Sequence, residues 1–117
     1  AAQMVAMGEL LIFAQQAGAD PVKVVEAIKA GAAQCWTLDV KPTRLFEGNR
    51  NPGFKAHMMA KDLNIAMESA REYGVPLPAT AENTQIFNAM VQMGLGNLDN
   101  SAVIAVIEIL SGTKLVT

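Results

Sequence analysis

Residues 55–74 read KAHMMAKDLNIAMESAREYG, and the fold turns on that stretch. Ala56, Met59, Ala60, Leu63, Ala66, Met67 and Ala70 recur at spacings of three and four, which makes one stripe of a helix and not one face of a strand. Gly74 stops the pattern, because glycine enters the left-handed cap that other residues resist. The spacing therefore predicts a long helix from about Lys55 to Tyr73.

Working outward, the same period recurs on both sides. Residues 1–17 read as a helix that is apolar almost all round, expected to be buried on most sides and closed by Gly18. Asp20-Pro21 starts a second helix: Asp caps it, and Pro at the first position loses an N–H that had no partner anyway. Its expected buried stripe is Val24, Val25, Ala27 and Ile28, and Gly31 ends it. Ala33 to Gly48 reads as helical with a break or kink near residues 39–42, because Pro42 cannot donate a hydrogen bond and disfavours helix at Lys41. Asn49-Arg50-Asn51-Pro52-Gly53 is a loop. After the long helix, Val75-Pro76-Leu77-Pro78 must be extended. A further helix runs from about Thr80 to Met93, burying Thr84, Ile86, Phe87, Met90 and Val91, until Gly94-Leu95-Gly96 breaks it. Asp99-Asn100-Ser101 then caps a last helix carrying Val103, Ile104, Val106, Ile107 and Ile109. The expected fold is all-α, a single domain of five or six helices over residues 1–117.

Composition narrows the function classes. With 117 residues, 51 % apolar and 17 % charged, the chain is long enough to bury a core and too apolar to be disordered. Nine basic against eleven acidic residues leave a net charge of -2, so neither nucleic acid nor an anionic membrane is an expected partner. A mean hydropathy of +0.24 is high for a small monomer and points to surface covered by another domain or subunit. Cys35 is the only cysteine, which excludes an internal disulfide and reads as a small buried hydrophobe in a reducing, cytoplasmic setting. His57 is the only histidine, so no histidine pair can hold a metal, and a Ser-His-Asp triad is poorly supported. Seven methionines against six aromatic residues suggest a soft core that fills irregular gaps.

The opening AAQMVAMGELLIFAQQAG is not a membrane span, because Gln3, Glu9, Gln15 and Gln16 interrupt it short of the ~20 apolar residues required. It lacks an initiator Met and a capping residue, so the expectation is a chain that starts inside a helix, as a piece of a longer polypeptide.

One side of the long helix carries a different pattern. Phe54, Met58, Lys61, Asp62 and Ile65 fall at i, i+4, i+7, i+8 and i+11. Two opposite charges at the edge of an apolar stripe can be a functional pair in a cleft. They can also be rim charges with packed stems and heads in water, and spacing alone favours the second. Arg44, Arg50 and Lys55 read as solvated surface cations. Trp36 reads as packed into the core or a domain interface.

The run Phe54-Lys55-Ala56-His57-Met58-Met59-Ala60-Lys61-Asp62-Leu63 resembles the F-x7-D pattern, with its internal Lys-Asp-Leu, of the β-hydroxyacid dehydrogenases. That family, related to the 6-phosphogluconate dehydrogenases, includes 3-hydroxyisobutyrate dehydrogenase, tartronate semialdehyde reductase and glyoxylate/succinic semialdehyde reductases. Gly74-Val75-Pro76-Leu77-Pro78, the segment from Gly94-Leu95-Gly96 to Ser101-Ala102-Val103, and Ala6-Met7-Gly8-Glu9-Leu10 with Ala17-Gly18 are similar too. The resemblance covers nearly the whole chain and rests on the order and spacing of these pieces.

It implies the helical C-terminal half of a two-domain enzyme that passes a hydride between NAD or NADP and a small 3-hydroxy acid or its semialdehyde. It also implies that Lys61 binds cofactor and substrate, that Phe54 shapes the substrate site, and that Asp62 supports catalysis by fixing the local charge network. An ammonium suits the first role, since it can stabilise negative charge while a neighbouring carboxylate holds it in place. Gly31-Ala32-Ala33-Gln34 falls where the family places a substrate-facing turn, but Gln34-Cys35 departs from the serine usual there.

Two parts of the family's machinery are missing from the sequence. There is no G-x-G-x-x-G turn to cradle a pyrophosphate. The general-acid lysine is expected upstream, since the first lysine here, Lys23, sits on the next helix and reads as solvated. The expected partners are an N-terminal Rossmann domain of the same protein, which would hold most of the cofactor, a small-molecule substrate, and further copies in a homo-oligomer. Two rivals stand beside this reading. One is a stand-alone, non-enzymatic helical association module. The other is a helical domain serving 6-phosphogluconate or imine reduction, where the lack of a dense Arg/Lys cluster argues against a sugar phosphate.

Overall fold

In a computed structural model that describes residues 1–116, six helices carry the chain. They are α1 (Ala2–Gln16), α2 (Pro21–Ile28), α3 (Trp36–Phe46), α4 (Ala56–Tyr73), α5 (Pro78–Met90) and α6 (Ile104–Ser111). Among the described residues the extended pairing is one antiparallel bridge, between Lys55 and Asp99. The fold is all-α, as the periodicity requires. Among the described residues no helix is long and apolar enough to cross a membrane.

Helix α1 lies at the centre and touches α2, α3, α5 and α6. Met4, Val5, Met7, Gly8, Leu11, Ile12 and Ala14 are buried, but Gln3, Ala6, Glu9 and Phe13 leave a strip exposed, so burial is less complete than expected. At Gly8, α1 and α6 pack tightly: a Cβ there would lie 3.4 Å from the Ile104 Cα. The segment after α6 folds back onto α1, with the Val116 N–H donating to Gln15 Oε1 at 2.7 Å and Leu115 buried.

The start of α2 follows the sequence, with Asp20 Oδ1 accepting from the Val22 N–H at 2.9 Å and Pro21 in the first turn. Its stripe is narrower than expected, since Val25 is buried, Val24 and Ile28 are half-buried and Ala27 is exposed.

Of the break or kink expected near residues 39–42, the break does not occur: α3 runs from Trp36 to Phe46 with Pro42 inside it. One backbone hydrogen bond is lost, but Leu38, Pro42 and Leu45 are all buried at i, i+4 and i+7. Packing of that stripe outweighs the proline penalty of about 3 kcal/mol.

Helix α4 ends as predicted, at Gly74 with φ 69°. Its stripe is also as predicted, with Ala56, Ala60, Leu63 and Ala70 buried and Met59, Ala66 and Met67 half-buried. Helix α5 starts at Pro78, two residues before the expected Thr80, because proline suits a first turn whose N–H groups have no partners. It gives way after Met90 to a wide turn over Val91–Leu95, where Gly94 takes φ 81°. Phe87, Leu11, Leu45, Met90 and Ile104 are fully buried at the centre; each contributes about 1.5–3 kcal/mol by leaving water. Asp99 caps a 3-10 turn, Asn100–Val103, that leads into α6.

Candidate functional site

The first two N–H groups of α4 meet no side-chain cap. They are satisfied by another loop: the Ala56 N–H donates to Leu98 O and the His57 N–H to Gly96 O, both at 2.9 Å. On the same seam the Asp99 N–H reaches Arg50 O at 3.0 Å and the Asn100 N–H reaches Phe54 O at 2.8 Å. The segments 50–57 and 96–100 are thus zipped together. Phe54 sits on that seam, one residue ahead of the Lys55 cap position.

From there the exposed side of α4 carries the pattern seen in the sequence. Phe54, Met58 and Ile65 are large apolar residues left 38 %, 37 % and 53 % exposed. Between them Lys61 Nζ lies 3.0 Å from Asp62 Oδ1, with both side chains about half exposed. The structure places Met58, Lys61, Asp62 and Ile65 on one exposed face of α4, with Phe54, also exposed, on the segment just ahead of the helix. That arrangement is compatible with a cleft wall and with a plain charged rim.

At the loop carrying Phe54 lies a feature that sequence reasoning missed. Asp99 is fully buried and Lys41, from α3, is nearly so. Lys41 Nζ lies 3.0 and 2.9 Å from the two Asp99 oxygens. Oδ1 also accepts the N–H groups of Gly53, at 2.9 Å, and Phe54, at 3.2 Å. Oδ2 accepts the Ser101 N–H at 3.1 Å and the Ser101 hydroxyl. Burial pushes the Asp99 carboxyl up, but the donors from Ser101, Lys41, Gly53 and Phe54 outweigh it and hold it well below the usual carboxylate range. A signal for this pair does exist in the sequence: Lys41 stands inside the buried α3 stripe, where a lone lysine needs a partner.

The other cations divide. Lys55 is exposed, as expected. Arg44 is not simply solvated, since its guanidinium bonds Asn51 O and lies 3.9 Å from Asp99 Oδ1. Arg50 donates to Leu45 O at 3.1 Å. Trp36 is 62 % exposed and so is not a core residue; its ring lies 5.5 Å from Lys41 Nζ, within cation–π range. Gln34 and Cys35 line a separate apolar groove of about 450 Å³ with Gln3, Met7, Leu10 and Leu38. Neither Phe54 nor Lys61 lines it.

Comparison with known proteins identifies the fold and the family together. The crystal structure of 3-hydroxyisobutyrate dehydrogenase from Salmonella typhimurium superposes with a TM-score of 0.85 at 23 % identity, over 90 % of this chain and 37 % of that one. A Mycobacterium tuberculosis 3-hydroxyisobutyrate dehydrogenase, solved with L-serine, gives 0.82 at 26 % identity, over 91 % and 38 %. In sequence, 2-hydroxy-3-oxopropionate reductase of Escherichia coli (strain K12) is 40 % identical over 110 residues, covering 94 % of this chain and 38 % of the relative. The chain therefore spans well under half the length of these relatives. Residues 1–107 match the pattern of the family described as NAD-binding of NADP-dependent 3-hydroxyisobutyrate dehydrogenase. The chain belongs to that family.

Proposed function

We propose that this chain is the helical wall of an NAD(P)-dependent oxidoreductase acting on a small 3-hydroxy acid or the matching semialdehyde. The observation that carries the reading is the exposed face of α4, on a chain of this family. Phe54, Met58 and Ile65 leave apolar surface uncovered on both sides of the Lys61–Asp62 pair, a composition that suits a small anionic substrate beside a flat ring.

The residues present fit one side of a nicotinamide cofactor. Lys61 pairs with Asp62 at 3.0 Å, and its ammonium, about half exposed, has N–H donors to offer a carboxylate or phosphate oxygen. Asp62 holds the ammonium in place and fixes the local charge. Phe54 closes the wall and keeps water from the reacting carbon. When bound, the cofactor supplies or accepts the hydride at its nicotinamide ring. The glycine-rich turn for its pyrophosphate and the general-acid lysine belong, in this reading, to an N-terminal Rossmann domain of the same polypeptide. Residues 1–117 form the C-terminal domain, which closes the cleft and joins subunits.

Lys61→Ala in the complete polypeptide is the test. It should lower kcat/KM about 100-fold, the usual loss for one electrostatic contact to a reacting group, and leave the oligomeric state unchanged. A second reading, a helical module that serves association alone, has its own observation: Phe13, Ile109 and Leu110 are 73 %, 63 % and 77 % exposed. Under that reading Lys61→Ala is silent, and charged substitutions at Phe13 or Leu110 change the assembly.

A further inference from the structure

We propose that Lys41 and Asp99 form a latch that sets the pose of Phe54, so that Lys41 is a positioning residue for the reaction although it touches neither substrate nor cofactor. This rests on the reading of Phe54 as a wall of the cleft.

Phe54 follows a loop, Asn49 to Gly53, rich in turn-forming residues. A loop of that kind samples many conformations unless its peptide groups are tied down. Here they are tied to one place. The Gly53 and Phe54 N–H groups both end on Asp99 Oδ1, at 2.9 and 3.2 Å, and the Phe54 carbonyl accepts the Asn100 N–H at 2.8 Å. The loop also packs directly on the carboxylate, since a Cβ at Gly53 would lie 3.5 Å from Asp99 Oδ1 and 3.4 Å from the Arg44 guanidinium.

The carboxylate can hold that pose only while its charge is balanced. Lys41 supplies the balance at 2.9 and 3.0 Å from a residue 58 positions away. Arg44 is a poor substitute, at 3.9 Å and partly in solvent. Without Lys41 a fully buried carboxylate must take up a proton or turn toward water. Either change weakens the acceptor on which Gly53 and Phe54 depend. A structural role alone does not explain the choice of residues, because buried ion pairs can often be replaced by apolar side chains without loss of stability. What an apolar pair cannot do is collect the N–H groups of Gly53, Phe54 and Ser101 on two oxygens.

A double-mutant cycle between Lys41→Met and Phe54→Ala in the complete polypeptide tests the latch. The readouts are kcat/KM for a 3-hydroxy acid per folded molecule and amide hydrogen exchange on the same samples. Lys41→Met should lower kcat/KM by at least about tenfold, but by less than about twofold once Phe54 is already alanine. The Gly53 and Phe54 amides should lose protection while Leu63, in the middle of α4, keeps its own. Additive losses in the cycle, or protection lost evenly along α4, would overturn the proposal. If the wild-type polypeptide turns over no hydroxy acid, the proposed function fails, and the exchange pattern alone decides the latch. Should Lys41→Met not fold, Lys41→Gln keeps a hydrogen-bond donor without the charge and is read by the same criteria.

Discussion

Asp99→Asn keeps the size of the side chain and one carbonyl oxygen but removes the charge that Lys41 faces. Asp99 is fully buried and the Lys41 side chain is 4 % exposed. Removing one partner of a buried pair costs about 3–5 kcal/mol, because the other charge is left uncompensated. Two details of the site adjust that figure. The remaining oxygen can still accept from Gly53 and Phe54, so those contacts need not be lost. The new amide nitrogen, however, faces the Ser101 N–H, donor against donor, which adds about 1 kcal/mol, while the Ser101 hydroxyl can turn to accept from it. Arg44 carries the same sign as Lys41 and gives no relief.

The expected loss is therefore about 4 kcal/mol at pH 7. With m near 2 kcal/mol/M, the urea midpoint falls by about 2 M. The pH dependence has a definite sign. The folded carboxyl of Asp99 is depressed, so its contribution is full above the unfolded carboxylate pKa of about 3.9 and is lost as pH falls through the folded value. Asparagine has no such contribution. The gap between the two proteins should be widest near neutrality and should narrow as pH drops below about 4. A loss under about 1 kcal/mol at pH 7, the range of exposed ion pairs, would refute the reasoning. So would a gap that stays constant into acid.

Other perturbations test the fold and the exposed face. Gly8→Leu should drive α1 from α6 and cost about 3 kcal/mol in thermal unfolding, whereas Gly8→Ala, with 3.4 Å to the Ile104 Cα, should stay within about 1 kcal/mol. Gly74→Ala has open space around its Cβ, so its cost in urea unfolding should be the left-handed conformation alone, about 1 kcal/mol. Asparagine at position 74 should recover part of that. Lys61→Ala should change unfolding stability by less than about 1 kcal/mol, because its partner is adjacent and both are half in water; a larger change would mean that Lys61 supports the fold as well as the proposed cleft.

What could be read from the sequence was what local chemistry decides. The α4 stripe, its stop at Gly74 and the Asp20-Pro21 start of α2 each depend on residues a few positions apart. Pro42 misled because its cost is local while its compensation, the burial of Leu38, Pro42 and Leu45 against the rest of the molecule, is not. The exposed α4 face was legible as spacing, but the roles of Phe54, Lys61 and Asp62 came only from the family resemblance. Arg44 and Arg50 read as solvated because nothing in the sequence says which carbonyls a folded loop will present to them. Trp36 read as packed into the core or a domain interface; its 62 % exposure removes the first of these, and its ring lies beside the Lys41 ammonium.

Asp99 shows how a correct local reading can stop halfway. As a helix cap it accounts for one bond, from the Ser101 N–H to Oδ2. A carboxylate offers about four acceptor positions, and on a surface water would take the others. The apolar run that follows Asp99 argues against a surface: Ala102, Val103 and Ile104 are all buried, so water is excluded and the remaining positions must be filled by protein. An ionised group there also needs a counter-charge. Lys41 is the complementary oddity, a cation in the middle of an apolar stripe on a helix with no local carboxylate beneath it. Each residue alone invites a bland reading, as a cap and as a snorkelling lysine. Taken together they require each other, and the loop carrying Phe54 is what closes over them.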